Sequence, residues 1–150
     1  MELVQEITEQ VNLINEVLVN MNQSTLLENS NFLIDEMSSE RYLKVKYDSL
    51  SHISFTIVFT PLGIQVNVDR ATEAYDVGIE YFNSNKAEFK NLIKMLFTSR
   101  IKVEYCGSNY TKIYFYDIGG SQVKTFKYVT GLYLKVGCKI KEYHPIYTIE

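Results

Sequence analysis

IKVEYCGSNYTKIYFYDIGGSQVKTFKYVTG, residues 101–131, alternates apolar and polar side chains through three runs broken by glycine-containing tripeptides. Ile113 and Phe115 fall on one side of the middle run, with Lys112, Tyr114 and Tyr116 on the other. A period of two is the signature of a half-buried strand. Gly107-Ser108-Asn109 and Ile118-Gly119-Gly120 supply the turns. Strands are therefore predicted at 101–106, 110–116 and 122–128. A fourth, at 132–141, would place Leu132, Leu134, Val136, Cys138 and Ile140 inward, with Tyr133, Lys135, Lys139 and Lys141 outward. His144-Pro145 ends it, because proline cannot donate to a ladder.

Upstream, Phe89, Leu92, Ile93, Leu96 and Phe97 recur at helical spacing, and Lys86, Lys90 and Lys94 line a neighbouring exposed face. Asn85 with Glu88 three residues on reads as a capping box. Residues 69–82 fit either a short helical turn or an extended stretch. Before them, Leu43–Tyr47, Ile53–Phe59 and Ile64–Val68 alternate as a three-strand meander. Thr60-Pro61-Leu62-Gly63 is a turn in which Pro61 presets φ and Gly63 tolerates a left-handed one. A short helix is expected over residues 29–40, with Phe32, Leu33 and Met37 on one side. Glu2–Asn22 is the clearest helix, its stripe of Val4, Ile7, Val11, Ile14, Leu18 and Met21 spaced three and four apart. The expectation is one α+β domain over 1–150: N-terminal helix, three-strand meander, amphipathic helix, then four mostly antiparallel strands, with helices packed on sheet.

The 150 residues contain no apolar run of membrane-spanning length, and the opening Met1-Glu2-Leu3 lacks the basic start of a signal peptide. With Cys106 and Cys138 the only cysteines, reduced thiols in a cytoplasmic chain are expected, a disulfide between two strands being the rival. Lysine outnumbers arginine 12 to 3, a bias that AT-rich bacterial codons produce. Residues 1–40 carry a net charge of −8 and the remainder +5. Such asymmetry marks either a partner surface or two faces that attract one another within the fold.

Chemistry is sparse. His52 and His144 lie 92 positions apart, each without a Cys or His at ligand spacing, whereas a zinc site needs three or four ligands. Gly119-Gly120 joins strand to strand, with no helix N-terminus to receive a phosphate. No enzyme, cofactor or metal is expected from these patterns. The strongest surface signal is tyrosine interleaved with lysine. Lys112, Tyr114, Tyr116, Tyr133 and Lys135 would form a sheet face that contacts a protein, stacks single-stranded nucleic acid, or lies covered by the first helix. Overall acidity and the scarcity of arginine count against nucleic acid. Asp69, Glu73, Asp76 and Glu80 make a second candidate surface, suited to a basic partner.

The pattern over residues 101–131, a basic helix end followed by strand, Gly-Ser turn, Tyr-rich strand and Gly-Gly hairpin, resembles small α+β immunity proteins. These are encoded beside polymorphic toxins in Gram-positive bacteria. The order of helix, three strands, helix and strands is also similar to that of type III secretion chaperone-like proteins. Both resemblances imply a cytoplasmic protein that binds another protein, the first a cognate toxin that it occludes. Neither carries a role onto a particular residue.

Overall fold

The computed structural model describes residues 2–35, 41–132 and 136–148. Helix α1 (Gln5–Asn20) is followed by β1 (Leu33–Ile34), β2 (Leu43–Tyr47), β3 (Phe55–Thr60), β4 (Gly63–Val68) and β5 (Ala71–Gly78). Then come α2 (Ile79–Ser84), α3 (Lys86–Thr98), β6 (Arg100–Cys106), β7 (Tyr110–Tyr116), β8 (Gln122–Val129) and β9 (Lys139–Tyr143). The strands form two antiparallel sheets, in the orders β1-β2-β3-β4-β5 and β8-β7-β6-β9. The fold is α+β, as expected.

Periodicity explains most of this. Strands β2, β3 and β4 bury every second residue: Leu43, Val45 and Tyr47, then Phe55, Ile57 and Phe59, then Ile64, Val66 and Val68. Helix α1 buries Ile7, Val11, Ile14, Val17 and Leu18 against α3 and β3. Gln10, fully buried on the same helix, donates to the Thr60 carbonyl at 2.9 Å and so anchors α1 over the end of β3. Phe32, Tyr47, Phe55 and Phe97 pack their rings together at the centre of one core that continues through Ile101, Ile113 and Phe115 into the second sheet.

Several expectations are corrected. The predicted helix at 29–40 is replaced by β1, which pairs Leu33 with Lys46 and Ile34 with Val45. Phe32 is pulled into the aromatic cluster while Leu33 faces solvent, a strand-like alternation; Met37 lies outside the described residues. The meander gains β5 on its other edge. There residues 72–74 oppose Asn67 alone, so a bulge interrupts the period of two and obscures the strand in the sequence. Glu73 sits in the bulge at φ +56° and its N–H donates to Asn67 Oδ1. Gly63 serves a close approach: a Cβ there would collide with the Val77 carbonyl oxygen. The capping box does not form. Helix α2 abuts α3, so the Asn85 amide donates back to the Tyr81 carbonyl at 2.9 Å, and Glu88 instead accepts from the Tyr81 hydroxyl at 2.5 Å.

The last strand departs most. It is β9, shorter than predicted, and its parity is reversed. Tyr143 is buried opposite Ile101, while Leu132, Val136 and Ile140 are exposed. A shift of one residue in a strand exchanges its two faces. Tyr133 and Lys135 lie outside the described residues. Cys106 and Cys138 form a disulfide, with Cα atoms 4.2 Å apart. The expectation of reduced thiols is overturned, and with it the ground on which a reducing compartment was inferred.

Candidate interaction face

Strand β7 turns Ile113 and Phe115 into the core, which sends Lys112, Tyr114 and Tyr116 to the outer face of the second sheet. Register places Arg100 beside Tyr116, Lys102 beside Tyr114 and Glu104 beside Lys112. Across the other edge of β7, Thr125 lies beside Tyr114 and Lys127 beside Lys112. On β9, Glu142 flanks Lys102 and Ile140 flanks Glu104.

The cations on this face lie over rings. Lys102 Nζ and Lys112 Nζ stand 4.7 and 4.9 Å from the Tyr114 ring centroid. The Arg100 guanidinium stands 5.4 Å from that of Tyr116. Each such contact is worth about 0.5–1 kcal/mol at an exposed site. Their larger consequence is order: a cation already held over a ring loses less freedom when a partner arrives. Helix α1 packs on α3 and β3, leaving Tyr114 and Tyr116 partly exposed, so the reading in which the first helix covers this face is set aside. Ile140, 60% exposed on the same face, adjoins the 130–138 connection carrying Leu132 and Val136, at 97% and 69%. Cys138 is held by the disulfide, and the Leu132 carbonyl accepts from Asn109 Nδ2 at 3.0 Å.

The acidic residues do not assemble into one patch. Asp69 stands in the β4–β5 turn and Glu80 beyond the far end of β5, roughly 20 Å away at about 3.3 Å per strand residue. Glu73 and Asp76 are exposed between them, while Asp69 turns inward and accepts a hydrogen bond from the Tyr105 hydroxyl at 2.9 Å. Its neighbour Arg70 lies over the Tyr105 ring and donates to the Gly107 and Tyr110 carbonyls and to Thr111 Oγ1. Asp69 and Arg70 thus fasten the first sheet to the second. Sequence reading passed over Arg70, since a lone cation beside an acidic run gives no sign of reaching across 40 residues.

Ionisation behaviour fits a structural role. The groups clearly shifted among the described residues are tyrosines. Tyr105 is held protonated well above its usual range, first by burial, then by its hydrogen bond to Tyr143 and the nearby Asp69 charge. Burial, with the Glu88 charge, pushes Tyr75 up to about 12. An unfolded phenol ionises near pH 10, so above that pH the unfolded chain binds fewer protons than the folded one. The stability that Tyr75 contributes is therefore complete below pH 10 and lost as pH rises from 10 towards 12. The Tyr75 hydroxyl is also buried without a hydrogen-bond partner. Tyr75→Phe is expected to stabilise the protein by about 1 kcal/mol at neutral pH and to flatten this alkaline decline; urea unfolding across pH 8–11 reads both.

His52 and His144 do meet, through His52 Nδ1 and the His144 carbonyl oxygen at 3.1 Å. A cleft of about 400 Å³ lies between α3 and the β7–β8 hairpin, lined by Met95, Thr98, Asp117, Ile118 and Val123. Its carboxylate is spent on its own turn, Asp117 Oδ1 accepting from the Ser121 N–H at 2.9 Å. No described helix is long and apolar enough to cross a membrane. No protein-family model, curated protein or solved structure matches the chain.

Proposed function

We propose that the protein is a non-enzymatic binding module that occludes a protein partner with the outer face of its second sheet, the partner class being a cognate toxin, as for immunity proteins. The observation that carries this reading is the open array of Arg100, Lys102 and Lys112 over Tyr114 and Tyr116, bordered by Ile140. Tyrosine and arginine are the residues on which binding energy concentrates. Cations held in place set approach and register, and they fit a partner whose docking surface is acidic. This shifts weight from the Asp69–Glu80 stretch, whose charges are dispersed, to the tyrosine face.

The test uses the tagged full chain and its host extract, with wild type, Tyr114→Ala and the control Tyr81→Ala compared side by side. Tyr81 is an exposed tyrosine on another element. Wild type and control are expected to retain one protein near stoichiometry. Tyr114→Ala should bind it about 30-fold more weakly, as loss of a central aromatic anchor worth about 2 kcal/mol requires. Equal retention by all three overturns the reading. Retention of nucleic acid instead, with affinity falling steeply in salt, replaces it with the nucleic-acid alternative.

A further inference from the structure

The geometry points to a second, independent site on this sheet: we propose that Glu104, Cys106 and Cys138 bind a zinc-class divalent cation once the disulfide is reduced. Glu104 and Cys106 are two apart on β6, so both project from the same face. Tyr105 pairs with Lys139, which sets Cys138 directly across from Cys106 at the head of the β6–β9 ladder. A carboxylate oxygen of Glu104 and the two sulfurs lie within 4.8 Å of one another, and Cys106 Sγ is 3.8 Å from Glu104 Oε1. Three ligands from two paired strands form a facial array on a rigid support, leaving the fourth tetrahedral position for water or a partner's side chain.

The distances suit the ion. Zinc–sulfur bonds near 2.3 Å in a tetrahedron need sulfurs about 3.8 Å apart. Cα atoms 4.2 Å apart allow that once the sulfurs part and the two side chains rotate. Lys112 lies opposite Glu104, and Lys102 is two residues before it on the same face. The step balances. A dithiol gives two electrons and two protons to the S–S bond and becomes a disulfide itself. Zinc then binds as the two thiol protons pass to solvent. Cys138 is exposed and Cys106 is 2% exposed, so an incoming thiolate attacks at Cys138. Oxidation and metal loading thus exclude one another at a single pair of sulfurs.

The experiment titrates Zn²⁺ and Co²⁺ into the full chain, oxidised or reduced with a phosphine that does not itself supply thiol ligands. Readouts are calorimetry, sulfur-to-cobalt charge-transfer absorption and the urea midpoint. Reduced wild type is expected to bind one ion per chain and to unfold at higher urea with zinc than without. Oxidised wild type and Cys106→Ser/Cys138→Ser should bind at least about 100-fold more weakly, and Glu104→Gln about tenfold more weakly than reduced wild type. Binding by the double serine variant equal to that of reduced wild type overturns the proposal, as does reduced Glu104→Gln matching wild type. Circular dichroism of the reduced protein and the double variant confirms the sheet; unfolding of both also overturns the proposal, because the array exists only on the paired strands. None of these outcomes depends on whether the tyrosine face has a partner.

Discussion

Replacing Phe97 by alanine is expected to lower the unfolding free energy by about 3–5 kcal/mol, the cost of an emptied aromatic site that cannot close. Phe97 is fully buried on the last turn of α3. Its ring touches Phe32 from the segment before β1, Phe55 from β3 and Tyr147 from the C-terminal segment, at centroid separations of 6.0, 6.0 and 5.5 Å. Its carbonyl accepts the Tyr147 N–H at 2.8 Å, so the backbone at this position holds the same segment from a second direction. Three pieces of chain distant in sequence therefore converge on one ring, and none can shift inward without giving up contacts elsewhere. Domains of this kind have about 5–15 kcal/mol in total, so the variant should lose a large part of its stability. Phe97→Leu, which keeps most of the volume, should retain most of the stability. Urea unfolding of the three proteins decides the matter; a loss under 1 kcal/mol for the alanine variant would mean that Phe97 is not the centre of the core.

Breaking the disulfide is the second large effect. Cys106 and Cys138 enclose a separation of 32 residues that contains all of β7 and β8. Closing a loop of that length in the unfolded chain is worth roughly 3–4 kcal/mol on the chain-entropy account. Cys106→Ser/Cys138→Ser should lose about that much and remain folded, because β6 and β9 keep their ladder and Tyr143 stays buried opposite Ile101. A phosphine reductant should move the wild-type urea midpoint to that of the double variant and leave the variant unchanged. If reductant leaves the wild-type curve where it was, the bond does not contribute to the fold in solution. The same bond holds Cys138 across from Cys106, two residues from Ile140 at the border of the tyrosine face.

How much of this was legible differs between elements for physical reasons. The helical stripes of α1 and α3, the alternation of β2–β4 and the two-residue turn at Pro61-Leu62 could be read directly. Each is a pattern repeated within one short segment and driven by burial of one side. β5 was hidden because three residues oppose one at its bulge, so its alternation fails inside the strand. β1 is two residues long, too short for any period to show, and exists because Phe32 fills a hole made by β2, β3 and α3. The cap at Asn85 failed because the residues before it became a helix with carbonyls of its own to satisfy.

The candidate face divides in the same way. That Lys112, Tyr114 and Tyr116 share a side follows from the two-residue repeat of β7 and needed no structure. That Arg100 and Lys102 come to lie over those rings depends on the register between β6 and β7. That Cys138 reaches Cys106, and that β9 turns Ile140 outward, depends on Tyr143 finding its place against Ile101. For α1, α3, β2–β4 and β7, composition and periodicity therefore determined by themselves which kind of element forms and which side of it is apolar, because burial acts residue by residue along a segment. Which segments lie side by side, and in what register, was settled only on folding: those energies belong to pairs of side chains far apart in the chain, and a one-residue slip reverses every face they build.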